Sequence, residues 1–156
     1  MKYKQKAIQL KKVKLQIHPL LGKLIKNDVT QLKVNQCINA LSIEVVQTLL
    51  DLNPLPVTLG TDDCYLTLAP SGMLERFKAH SLSKKLVLKL HVYPTDAIER
   101  VLSVTLLYNC AVTLYLKNGL STNMQHRLSC FKEHGVHVPK KAILANLANT
   151  SPSIFR

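Results

Sequence analysis

The chain reads as an α/β (α+β) protein: a small mixed sheet with flanking helices, followed by a helical C-terminal portion. Three stretches carry this expectation. Residues 86–93, Leu-Val-Leu-Lys-Leu-His-Val-Tyr, alternate as a strand with one buried face does. Pro56-Val57-Thr58-Leu59 and Tyr65-Leu66-Thr67-Leu68 flank a short polar segment, Gly60–Asp63, as the two arms of a hairpin do. From Thr95 onward, helix starts and stops dominate, with glycines at 119 and 135 as terminators.

The elements follow in order. Ala7–Leu10 and Val13–Ile17 have strand character, because apolar residues alternate with Lys and Gln. His18-Pro19 breaks that pattern, and Gly22 to Lys26 suits a helical turn. Leu32-Lys33-Val34 reads as a short strand. Asn39 or Ser42 can cap a helix running to about Leu52, with Ile43, Val46, Leu49 and Leu50 on one face. Asn53-Pro54 and Pro56 end it. After the hairpin comes a helix from Met73 to about His80. Pro94-Thr95-Asp96 then opens a helix with Thr95 as its cap, extending through Val101–Leu116. The β-branched residues of that last stretch leave a strand open there. Ser121 or Thr122 caps a helix to about His134, and Pro139 starts one over Lys140–Asn149. The division expected is an α/β core over 1–94 and a helical portion over 95–156. No flexible linker separates them, so the helices should pack on the core.

The chain has 156 residues, 47% hydrophobic and 19% charged, a globular composition. Its net charge of +12 points to an anionic partner, and DNA is the first expectation. Eight lysines precede the first acid, Asp28, and Glu133 is the only acid after Met124. Absence of Trp and scarcity of other aromatics argue against a stacking platform for single strands. The residues expected at phosphates are Lys4, Lys6, Lys11, Lys12, Lys14, Arg127, Lys132, Lys140 and Lys141. The last four belong to a helix, a glycine turn and a second helix over 122–149, which has the outline of a helix-turn-helix. The competing reading is that the lysines only solvate the chain.

Cys37, Cys64, Cys110 and Cys130 show no CxxC spacing, and the lysine-rich N-terminus lacks the apolar stretch of a signal peptide. Reduced thiols in a cytoplasmic protein are expected. Val101–Leu116 is too short and too polar to span a bilayer, so no membrane partner is expected. His126, Cys130 and His134 stand four residues apart, with His137 after them, but the first and third are about 12 Å apart along a helix. No metal, no cofactor and no catalytic residue is assigned. Asp62 and Asp63 are explained by a turn.

The order Val34-Asn35-Gln36, a helix at 43–50, Leu55–Leu59, Asp62–Ala69, a helix at 74–82 and Leu88–Tyr93 resembles the ParB/sulfiredoxin-like superfamily. Residues 56–82 fit its spacing without a gap, and the architectural likeness covers roughly residues 7–116. The family's Gly-Glu-Arg-Arg phosphate loop falls on Pro70-Ser71-Gly72-Met73, so both arginines are lost. Its Glu-Asn-x-x-Arg motif falls on Tyr108-Asn109-Cys110-Ala111-Val112, where only Asn109 matches. The catalytic cysteine of sulfiredoxins has no counterpart at Ser71 or Gly72. What remains for an anion is Ser71 and Gly72, with Arg76 one turn further on, since Pro70 removes one N–H donor.

The resemblance and the charge together imply a non-enzymatic DNA-binding protein of the partition or plasmid-regulation kind. Two alternatives stay open: a ParB-like nuclease or NTPase with an altered loop, and an interaction protein, effector or inhibitor, that kept the fold without the chemistry. A homodimer and a protein partner are open as well.

Overall fold

Five strands, β1 (Lys4–Gln9), β2 (Leu15–Ile17), β3 (Leu55–Leu59), β4 (Tyr65–Thr67) and β5 (Val87–Val92), form one mixed sheet in the order β1-β5-β3-β4-β2. The structure is a computed structural model and describes residues 2–26, 28, 38–117, 120–135, 137–148 and 151–155. β1 runs antiparallel to β5 and β4 antiparallel to β3, whereas β3/β5 and β2/β4 are parallel pairs. The helices are α1 (Pro19–Leu24), α2 (Ile43–Leu52), α3 (Gly72–Lys78), α4 (Ile98–Ser103), α5 (Asn109–Lys117), α6 (Leu120–Glu133) and α7 (Lys141–Leu147).

The sheet is curled. Residues Leu10–Lys14 connect its two edge strands, which would lie about 19 Å apart in a flat sheet of five. The six Cα–Cα steps from Gln9 to Leu15 reach about 20 Å only when fully extended. This segment is not extended, since the Lys12 and Val13 amides both donate to the Gln9 carbonyl, at 2.9 and 3.2 Å. The edges therefore bend toward each other, and the Lys6 ammonium on β1 donates to the Tyr65 hydroxyl on β4 at 3.0 Å.

Strand alternation sorts the sheet. Leu88, Leu90 and Val92 of β5 point to one face with Leu55 and Val57 of β3, and α2 and α3 cover them through Val46, Leu50, Leu74 and Phe77. Each fully buried leucine contributes about 1.5–3 kcal/mol. A second cluster joins Leu21 of α1 and Leu68, beyond β4, to Ala97, Ile98, Val101 and Leu102. The sheet portion and the first helix after it thus share a core. Ile143 of α7 packs against the main cluster, and Ala145 beside it is fully buried.

Several boundaries differ from expectation, each for a local reason. β1 begins at Lys4, because pairing with β5 orders the polar residues that propensity leaves ambiguous. His18-Pro19 opens α1 instead of merely ending a strand: Pro19 takes the first turn, and His18 Nδ1 accepts the Leu20 amide at 3.2 Å. Ser42, not Asn39, caps α2, with the Val45 amide donating to its hydroxyl at 3.4 Å. Asn39 instead accepts the Ser81 amide at 2.9 Å. In the hairpin the positive φ angles fall on Asp62 and Asp63, at 54° and 55°, and the Cys64 amide donates to the Thr61 carbonyl. This is a type I′ turn, whose twist matches the strands it joins.

Thr95 lies inside a 3-10 turn, Thr95–Ala97, and its side chain caps nothing. Val101–Leu116 is helical, not a strand, and runs through a π turn at Val104–Tyr108 that links α4 to α5. α6 begins at Leu120, so Ser121 and Thr122 lie within it and are not its cap. α7 begins at Lys141, two residues after Pro139, and ends at Leu147. The strand expected at Leu32–Val34, Cys37, and the helix end expected at Asn149 lie outside the described residues.

Candidate nucleic-acid interface

β1 ends where β5 begins. The Leu10 amide donates to the Leu86 carbonyl at 2.8 Å, and the Gln9 side chain donates to the Lys84 carbonyl. This pairing sets Lys11 and Lys12, in the turn after β1, beside Lys84 and Lys85, in the 3-10 turn before β5. All four lysines are exposed. Two runs some seventy residues apart in sequence therefore meet at one end of the sheet. Lys84 and Lys85 were not among the expected site residues. Their pairing with the first run depends on strand register, which a single sequence does not display. One acid, Glu44, shares a shallow cavity with Lys85. The Glu44 carboxylate is held below its ordinary pKa by its own backbone amide and then by the Ser42 hydroxyl.

The other expected N-terminal lysines sit differently. Lys4 lies at the far end of β1, opposite Val92. Lys6 is tied to Tyr65, whose hydroxyl raises the pKa of the ammonium. Its first role is to close the curl of the sheet. The Lys14 carbonyl accepts the Tyr65 amide at 2.9 Å, close to the Asp62-Asp63 turn. Arg127 and Lys132 are exposed on α6. Lys140 is exposed but precedes α7, supplying its carbonyl to the Ile143 and Leu144 amides, while Lys141 is the first residue of that helix. Gly135, at φ +67°, ends α6 as expected of a glycine there.

The loop before α3 is poorly suited to phosphate. Ser71 stands at the cap position, but its hydroxyl caps nothing. Glu75 occupies the first turn, so the helix end already has a carboxylate nearby. Arg76 Nη1 donates to Met73 Sδ at 3.4 Å, and Glu75 pairs with Lys78 at 2.9 Å. Pro70 and Asn109, which the resemblance assigns to two nucleotide motifs, do line one groove of about 1080 Å³. Its walls are apolar, from Leu20, Leu24 and Ile25 on one side and Leu102, Leu106 and Leu107 on the other. The charged residues on it are Asp28 and Glu99, both acids. A triphosphate would meet apolar walls and like charge there.

A smaller cavity of about 460 Å³ lies between Pro54, Pro56, His91, Tyr93, Arg100 and Val104. The Tyr3 ring stacks on two of these residues, 4.2 Å from the ring of His91 and 5.4 Å from that of Tyr93. Burial pushes the His91 pKa down and that of Tyr93 up. Among the described residues, no group of three or more His, Cys, Asp or Glu is placed to hold a metal. His134 Nδ1 lies 2.9 Å from the Cys130 carbonyl of its own helix. Cys64, Cys110 and Cys130 are free thiols. No described helix is long and apolar enough to cross a membrane. Comparison of the chain with protein-family models, with curated proteins and with solved structures finds no match.

Proposed function

We propose that this protein binds DNA without catalysing a reaction, as a ParB/sulfiredoxin-like relative of partition or plasmid-regulatory proteins in the cytoplasm. The single observation that supports this reading best is the meeting of Lys11 and Lys12 with Lys84 and Lys85 at one end of the sheet. Four exposed ammonium groups with one acid nearby attract a phosphate backbone, and the net charge of +12 adds a long-range pull. Lysine is a point charge without the planar fork of arginine, so such a surface favours phosphates over base edges. The enzyme alternative has less support, because the loop at Pro70–Met73 lacks the cations that phosphoryl chemistry needs.

The test is DNA binding across a salt series. The parent is expected to bind duplexes of unrelated sequence equally, with a log–log salt slope of several units. Lys84→Ala with Lys85→Ala is expected to lower that slope by about two units, at about 0.9 per lost phosphate contact. Absence of binding at about 50 mM salt, or an unchanged slope in the variant, would overturn the reading.

A further inference from the structure

The cavity of about 460 Å³ has one wall from the helical segment after the sheet, with Arg100, Val104, Thr105 and Asn109 on it. On a regular α-helix these four positions would spread over about 180°, at about 100° per residue. The π turn changes that. The Asn109 amide donates to the Val104 carbonyl, five residues back, and the wider turn rotates Asn109 by about a quarter of a turn, into the arc held by Val104 and Thr105. Such turns are rare and recur at functional sites. The facing wall comes from the sheet, through Pro54 and Pro56 at the start of β3 and His91 and Tyr93 at the end of β5. The Arg100 guanidinium, the Tyr93 and Thr105 hydroxyls and the Asn109 side-chain amide all line this cavity, and none of them makes a hydrogen bond or ion pair with a described residue. Four donors thus border one hollow without a partner.

We infer that this cavity is a binding site for a small aromatic monocarboxylate, with the carboxylate at Arg100 and the ring between the two prolines and the rings of His91 and Tyr93. Charge selects a single negative group. Arg100 is the one cation on the lining at neutral pH, since burial holds the His91 pKa below its ordinary 6.5. A triphosphate needs several cations. No acid lines the cavity, so the ammonium of an amino acid would be left without a partner. The planar fork of arginine matches a carboxylate with two parallel bonds. The Tyr93 hydroxyl keeps its proton, because burial raises its pKa above the ordinary 10.0, and it can donate as well. The rest of the lining suits a flat apolar ring. Pro54 and Pro56 have no amide hydrogen to leave unpaired, and Ala69, Val101 and Val104 add no polar side chain. The stack of Tyr3 on His91 and Tyr93 steadies the aromatic wall. The volume lies in the lower half of the range of small-molecule sites, about 300–1,000 Å³, and fits one ring or two fused rings. The assignment is independent of DNA binding.

Titration of the intact chain with 2-naphthoate, followed by calorimetry and by NMR, tests it. The parent is expected to bind with a dissociation constant of about 1 mM or tighter, and the His91 and Tyr93 ring resonances should shift. Arg100 is exposed, so Arg100→Gln should keep the fold by circular dichroism while affinity falls about tenfold or more. Lys23→Gln, which removes the same charge from an exposed site on α1, should bind like the parent. The uncharged 2-naphthalenemethanol should bind the parent about tenfold more weakly than the carboxylate does. Absence of binding up to about 10 mM naphthoate overturns the inference. So does an Arg100→Gln variant that binds like the parent, an equal loss in Lys23→Gln, equal affinity for the alcohol, or shifts confined to Leu24 and Leu107 of the larger groove.

Discussion

Gln47 stands in for a strand. Its amide accepts the Val87 N–H at 2.9 Å and donates to the Val87 carbonyl at 3.0 Å, at the point where β5 extends past the start of β3. The side chain thus satisfies both polar groups of a residue that has no ladder partner on that side. Gln47→Leu removes both bonds in a half-buried place, and a loss of about 2–3 kcal/mol is expected, read as a lower urea midpoint. Two other residues set the acid limit of stability. The His91 pKa lies below its ordinary 6.5 because the ring is partly desolvated. The unfolded chain therefore takes up that proton first, and stability falls as pH drops below about 6.5. The Asp51 pKa lies below its ordinary 3.8, chiefly through a bond from Lys89 at 3.0 Å. Its contribution is present above 3.8 and disappears as pH falls through the lower folded value. Urea midpoints between pH 3 and 8 should show both declines. Lys89→Met should shrink the lower one, leaving the parts that Glu44 and the Gln47 bond to Asp51 contribute, and should leave the upper one unchanged.

At the scale of elements, the turn before α3 answers a question of chemistry. A strand that passes through small residues into a helix can cradle phosphate with its free amides. Here Pro70 has no amide hydrogen, α3 is only seven residues long, and Glu75 sits in its first turn. Calorimetry with CTP or ATP is therefore expected to show no binding in the micromolar range and no hydrolysis, and a micromolar constant for either would contradict this account of the loop. The adjoining hairpin shows the opposite economy. Asp62 and Asp63 adopt left-handed φ angles that most residues avoid, and the I′ geometry they create brings β4 back along β3 in register.

At the scale of the molecule, charge is segregated. The β1–β5 end and the exposed sides of α6 and α7 are basic, while the groove beside α4 and α5 bears acids. α7 is held against the core through Ile143 and Ala145, and this leaves Lys140 and Lys141 outward at one end. If the two basic regions act on DNA together, Lys140→Glu with Lys141→Glu should lower the salt slope by one to two units, the amount expected for about two phosphate contacts. Stability should be equal or slightly higher, because acids suit the start of a helix better than lysines do. A parental salt slope in this variant would remove the α6–α7 pair from the interface and leave the sheet end as the binding surface.

Much of this protein is local in origin and was legible in the chain alone. Leu86–Tyr93 alternates because one face is buried, and Ser42 caps because its oxygen reaches an amide three residues on. The hairpin, the order of strands and helices, and the basic character follow from neighbours in sequence. The α/β class with its mixed sheet follows from that order. What the sequence alone left undecided depends on residues far apart. The parallel pairing of β3 with β5, the curl that joins Lys6 to Tyr65, and the helical state of Val101–Leu116 are of this kind. In the last case packing of Ile98, Val101 and Leu102 onto Leu21 and Leu68 overrides the preference of β-branched residues for strands. The meeting of Lys11 and Lys12 with Lys84 and Lys85 has the same origin. Local preference is encoded within a few residues, whereas register and burial are set by the sheet as a whole, and the candidate site belongs to the second kind.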